Sequence, residues 1–376
     1  MGFWNWWFRD RSQAPWGPGP PILERIREWD GHEPLVLLDQ ESEPVDEIPF
    51  ANGALDGILT HHTRPEAMRD QGRIVAGILG MLRALGRTGK ERRRRALYRL
   101  AMEVPVTAYA DALIGALARE RPVVLESLRA PARWLAETAT HREPLKLATI
   151  LLGSCGDQED LERLVTLARH DEFTLFAVVA VGNLMTDPTD VWWTMARNVH
   201  GWGKIQVVER LCGRVDDRPE IQDWLLRHGC ENEILPEYLA CFCARAGRLA
   251  RALATERPDK ELLASACLIF RALLSPGPAE DLGCYEDGVA AATALIGHLE
   301  TQALSPECVE LLATLNEWLE SPGPAGSSTV TPTDRPGRSD PWPARQALGW
   351  TPLVREELAR RCRNLLGPSD PDRVDP

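Results

Sequence analysis

Four of the eight histidines stand at positions 141, 170, 200 and 228, and the second opens the run His170-Asp171-Glu172. An imidazole beside two carboxylates is a combination used in general acid–base catalysis and in metal binding. The spacings of 29, 30 and 28 residues point elsewhere. Aligned on the histidines, Leu152, Val181, Leu211 and Leu239 fall eleven residues on, and the small residues Gly153, Gly182, Cys212 and Ala240 fall twelve on. Seven residues on come Ala148, Ala177, Val207 and Leu235. A period of this length marks stacked helix pairs. The histidines then end one helix, where a donor meets free carbonyls, and the acids of 171–172 begin the next, where negative charge is favoured. Stacked helices lie about 8–10 Å apart, whereas zinc ligands sit within about 2.1 Å of the ion. The four histidines read as turn punctuation, not as a metal site.

The other candidates are weighed in the same way. His61-His62, with Asp56 and His32 nearby, is a metal hint. Adjacent histidines point in different directions, and no HExxH or ExxH completes a set, so no metal is expected. The one dense basic patch is Arg92, Arg93, Arg94 and Arg95, with Lys90, Arg83, Arg87 and Arg99 around it. Consecutive residues point all around a helix, so ion pairing with neighbouring acids is favoured over phosphate binding. Gly201-Trp202-Gly203-Lys204 is a fragment of a phosphate loop that lacks the rest of the motif, and is read as a tight turn between helices. Trp192, Trp193, Trp202 and Trp224 fall in neighbouring repeats and have two open readings, a groove for a peptide or apolar ligand, or core. At the N-terminus, Phe3, Trp4, Trp6, Trp7 and Phe8 precede Arg9. Contact with a membrane surface is one reading of them, and a cap over the exposed end of a helix stack is the favoured one. No nucleophile–base–acid signature or dinucleotide motif occurs. No catalytic residues and no cofactor are therefore expected.

A net charge of −12 argues against sequence-independent nucleic-acid binding, which needs cations to displace counterions. Lysines are scarce: only Lys90, Lys146, Lys204 and Lys260 occur, against 39 arginines. Nine cysteines without a CxxC pair read as free, mostly buried thiols. No apolar run reaches the ~18 residues of a membrane span, and Arg9, Asp10 and Arg11 stand where a signal peptide would be apolar. The cytoplasm is the expected compartment.

The elements that must position these residues are almost all helical. One strand is expected over Glu33–Asp39, and from residue 65 onward the apolar period is that of helices. Met68, Ile74, Ile78, Met81, Leu82 and Leu85 fit one helix, and Ala96, Leu97, Leu100 and Ala101 the next. Breakers are expected at Thr88-Gly89, Val104-Pro105, Arg121-Pro122, Ala130-Pro131 and Glu143-Pro144. Further helices are expected over 248–256, 261–274, 287–300 and 306–320. Residues 322–351, rich in proline, glycine and serine, read as a disordered linker before an amphipathic helix over 352–367, which can dock back on the repeats. Residues 1–64 form an irregular capping region, 65–321 the repeats and 368–376 a disordered tail.

The segments EPLKLATILLGSCGDQEDLERLVTLARH and DEFTLFAVVAVGNLMTDPTDVWWTMARNVH resemble the HEAT or armadillo-like class. That resemblance implies an all-α, right-handed α-solenoid of antiparallel helix pairs, serving as a non-catalytic scaffold that binds an unidentified protein or peptide in its concave groove. WGKIQVVERL and DWLLRHG faintly resemble bacterial HEAT-like chains named limonene hydroxylase, which makes an enzyme on this scaffold the alternative. No iron, haem or flavin pattern accompanies them. A nucleic-acid-binding protein of the kind that HEAT-like alkylpurine glycosylases resemble is the second alternative, disfavoured by the charge.

Overall fold

The structure, a computed structural model, describes residues 14–31, 33–37, 39, 52–57, 71–88, 90–275, 279–321 and 345–367, without the side chains of 86–88. Its regular elements are helical, with no strand among the described residues. The chain divides into two compact units, Met1–Val207 and Val208–Pro376.

The first unit contains α1 (Ile22–Glu28), α2 (Gln71–Thr88), α3 (Glu91–Glu103), α4 (Ala110–Leu117), α5 (Pro122–Thr138), α6 (Arg142–Cys155), α7 (Gln158–Leu167), α8 (Asp171–Leu184) and α9 (Thr189–Ala196). The division falls within α10 (Gly201–Cys212). The centre is α6, which packs on α5 before it and α8 after it. Its apolar run buries Leu145, Leu147, Ile150, Leu151 and Leu152. Gly153 permits the approach of α8, since a Cβ there would lie 2.5 Å from Ala180 Cα. The capping at Asp157 is as expected: its side chain accepts from Glu159 N–H, and Asp160 completes a capping box.

Several boundaries differ from expectation. Residues 33–37 and 39 form no strand. The Glu33, Leu35 and Val36 carbonyls are met instead by Trp29 Nε1, His170 Nε2 and Arg25 Nη2, so side chains take the place of a ladder. Pro131 lies inside α5, where it is buried with Leu128, Ala132 and Leu135; packing on both flanks outweighs the lost hydrogen bond. Gly201-Trp202-Gly203-Lys204 is the first turn of α10 and not an inter-helix turn. His141, His170 and His200 directly precede α6, α8 and α10, but His228 lies within the π-helical turn Leu225–Gly229. The period slips there. Leu239 is buried, but Leu235, aligned with Ala148, Ala177 and Val207 of the core, is 44% exposed.

The second unit contains α11 (Pro219–Trp224), α12 (Glu237–Ala246), α13 (Leu249–Leu253), α14 (Lys260–Leu274), α15 (Gly288–Leu299), α16 (Pro306–Glu320) and α17 (Pro352–Leu366). Packing joins alternate helices: α12 with α14, α14 with α16, and α13 with α15. The C-terminal helix α17 docks on α16 and α15 through Leu358, Ala359 and Cys362. The packed segment before it starts at Arg345, inside the stretch read as linker. Trp350 is fully buried, 4.8 Å from the ring of Trp318, and Arg345 pairs with Asp281. The remainder of that stretch, 322–344, and the tail 368–376 lie outside the described residues, as do Phe3, Trp4, Trp6, Trp7, Phe8, His32, His61, His62 and Met68.

Leu152→Ala is expected to cost about 2–5 kcal/mol, since it hollows a fully packed interface. Gly153→Ala is expected to cost about 1–3 kcal/mol by forcing α6 and α8 apart. Urea unfolding of the two variants measures both; a loss below about 1 kcal/mol for Leu152→Ala would remove this interface from the core.

Candidate functional site

Of the four lysines, Lys146 alone stands mid-way along an apolar helix stretch, EPLKLATILL. Its side chain is 4% exposed, and three carboxylates surround its ammonium: Glu172 at 2.6 Å, Asp56 at 2.7 Å and Glu143 at 3.1 Å. Phe176 presents its ring to the same nitrogen, 5.4 Å from the ring centre. Glu143 lies one turn before Lys146 on α6, Glu172 comes from the first turn of α8, and Asp56 comes from the described segment 52–57.

Each carboxylate also holds backbone. Glu172 Oε2 accepts from Gly53 N–H at 2.9 Å. Glu143 Oε2 accepts from Val106 N–H at 2.5 Å, which fixes the 3-10 turn Val106–Ala108. Beside them Asp39 Oδ2 accepts from the backbone N–H and Nε of Arg142, and Arg142 Nη1 lies 3.8 Å from Glu172. Gly53, at φ 71°, sits so close that a Cβ would meet Asp171 O at 2.6 Å. Only glycine satisfies both the left-handed backbone and that approach.

His170 closes the edge of this cluster. Its Nδ1 accepts from Glu172 N–H at 3.3 Å and its Nε2 lies 2.9 Å from Leu35 O. A carbonyl only accepts, so the ring is neutral with its proton on Nε2. It is thus the N-cap of α8; the expected donation to the preceding helix comes from its backbone N–H, which meets Leu167 O at 3.2 Å, while its ring turns to Leu35.

The electrostatics oppose catalytic use. Burial works against the charge on Lys146, but Glu143, Glu172 and Asp56 outweigh it and raise its pKa above that of a free lysine. An amine nucleophile needs the opposite shift. Burial pushes Asp56 up against the attraction of Lys146. For Glu172, burial is overcome by Lys146, Gly53 N–H and Arg142, so its carboxyl is held low. The ammonium occupies the centre where these carboxylates converge, and no cluster of metal-ligating side chains occurs among the described residues. What the arrangement does is hold segment 52–57 and the 106–108 turn against α6 and α8.

The tryptophans separate. Trp202 is buried, and its ring packs on Gly57, where a Cβ would lie 2.3 Å from it; it helps to seat segment 52–57. Trp192 is buried too, donating Nε1 to Val178 O at 3.0 Å. Trp193 is half-buried under Arg197, 4.5 Å from its ring centre. Trp224 is half-buried in the second unit, 6.4 Å from His228. In the basic patch, Arg93 donates to Ala84 O, Arg94 lies over Trp134, Arg95 pairs with Glu91, and Arg92 is exposed. Sequence reading passed over Lys146 and Glu143 as site residues and took Glu172 for a helix-start acid. The available signal was a rare lysine placed where the period demands an apolar residue. No family model, curated protein or solved structure matches the chain.

Lys146→Met strands two buried carboxylates, Asp56 and Glu172, and the half-buried Glu143, and a loss of about 3–5 kcal/mol is expected. Neutralising them together, with Asp56→Asn, Glu143→Gln and Glu172→Gln in the Lys146→Met background, is expected to recover part of it; chemical denaturation decides, and no recovery would rule out charge as the cause. Acid is expected to weaken the same region. Burial lowers the pKa of His170 from its ordinary 6.5, so below about pH 6.5 the unfolded chain takes up a proton that the folded chain does not. This contribution is present above that pH and declines as pH falls towards the folded value, by at most about 1.4 kcal/mol per unit. Glu172 adds a loss on further acidification below its ordinary 4.5, partly offset by Asp56. Melting curves between pH 7 and 5 should fall for the wild type and flatten for His170→Gln.

Proposed function

We propose that the chain is a HEAT-like helical-repeat scaffold, an α-solenoid without catalytic machinery, which binds a partner protein through an apolar stripe in its second unit. Packing of alternate helices supports the repeat reading. The carrying observation is a built, exposed apolar surface at the start of α12. Leu235, Tyr238 and Phe242 follow one another at helical spacing with Ile234 beside them; Ile234 and Phe242 are each 37% exposed. The loop before them is fixed from within. The buried Asn232 side chain accepts from Ile234 and Leu235 N–H and donates to the Cys230 and Leu235 carbonyls. Glu233 takes a left-handed φ of 66° in the same turn. Pre-ordering apolar residues that face water lowers the entropy lost on binding. Exposed Glu231 and Glu233 flank the stripe, and the whole chain carries −12. The partner that fits is an amphipathic helix with an apolar face and lysine or arginine flanks.

Anisotropy titration of labelled amphipathic helical peptides, with basic or acidic flanks, tests this. Basic peptides should bind more tightly and lose affinity with salt. Leu235→Ser with Phe242→Ser should weaken them at least about tenfold, near 1.4 kcal/mol. Failure of every peptide to bind, or equal binding by the variant, overturns the proposed surface.

A further inference from the structure

Two thiols from different helices of the second unit face one another. Cys267 lies in α14 and Cys308 in the first turn of α16, and their sulfurs are 3.8 Å apart. They are 41 residues apart in sequence, so the approach is made by the packing of α14 on α16. The two are unequal. Cys267 is buried at 6% exposure, and burial, with Cys308 beside it, pushes its thiol up to about 12. Cys308 is half-buried at the helix start, where Ser305 Oγ donates to its sulfur at 3.5 Å. An oxidant from solvent therefore reaches Cys308 first, with a second sulfur already behind it.

We propose that Cys267 and Cys308 form a peroxide-oxidisable dithiol that closes into a disulfide joining α14 to α16. In the first step the Cys308 sulfur attacks hydrogen peroxide. An S–O bond forms, the O–O bond breaks, and the departing hydroxide takes the thiol proton as water. In the second, the Cys267 sulfur attacks Cys308; the S–S bond forms, the S–O bond breaks, and the hydroxide released takes the Cys267 proton. Two thiols lose two electrons and two protons, and one peroxide becomes two waters. Closure brings the sulfurs from 3.8 Å to about 2.05 Å. The protected Cys267 makes the second step the slower one. The product ties α16, on which α17 docks, to α14.

The full-length reduced protein is exposed to hydrogen peroxide, its remaining thiols are blocked in denaturant, and it is digested without reductant for mass spectrometry. The expected product is a pair of peptides joined through Cys267 and Cys308, lighter by two hydrogens and separated by dithiothreitol, with two fewer of the nine thiols titrating. Cys267→Ser should leave Cys308 as a sulfenic acid trapped by dimedone, and Cys308→Ser should leave Cys267 reduced. The proposal is overturned if wild-type Cys308 goes to sulfinic acid without cross-linking. It is equally overturned if Cys267 joins other cysteines as readily, or if both thiols stay reduced at a dose that oxidises other cysteines of the chain.

Discussion

A single buried ammonium organises the first unit. Removing Lys146 from water is costly, and the cost is tolerable only because carboxylates from three stretches of chain meet it within 3.1 Å. Those carboxylates cannot be supplied by α6 alone. Glu143 is local, but Glu172 requires α8 in its place, and Asp56 requires residues 52–57 to return across the helix starts. The neutralising geometry is thus a constraint on tertiary structure. It also carries outward, because the far oxygens of Glu143 and Glu172 hold Val106 and Gly53.

The same edge gathers the described N-terminal residues. Ile22 N–H bonds to Ala139 O, just beyond α5. Trp16 meets Tyr98 and Trp134, and the Tyr98 hydroxyl lies 2.9 Å from His141 Nδ1. Arg169 reaches the carbonyls of Ile26 and Trp29, and His170 that of Leu35. The described residues 14–31, 33–37 and 39 therefore run past the turns before α6 and α8 and satisfy groups that helix ends leave open. His170 is a contact for this segment as well as a boundary, and beside His141 the hydroxyl of Thr140 donates to Trp16 O.

The second unit is held differently. Its ion pairs are largely exposed, as where Arg227 meets Asp223, Asp259 and Glu261, or Arg361 meets Glu300. Such pairs contribute little each. Burial does more: Leu311, Leu312, Leu315, Trp350, Leu358 and Cys362 close the layer between α16 and α17. A helix of about fifteen residues is marginal alone in water, so α17 owes its persistence to this contact.

Helix period and breakers were enough to place α14, α16 and α17 within a residue, because an apolar stripe every three to four residues has one way to be buried. They also placed Leu152, Val181, Leu211 and Leu239 in the core. Short-range chemistry likewise marked Asp157 as a cap. The sequence could not show that Glu172, which has the position of an ordinary helix-start acid, is 7% exposed and bound to Lys146. Nor could it show that residues 33–37 form no strand, or that Trp202 closes on a glycine at position 57. Helix formation depends on neighbours within a turn or two, so it is written locally. The pairing of a buried charge depends on residues 90 positions away, as with Asp56 and Lys146, and only the folded chain brings them within reach.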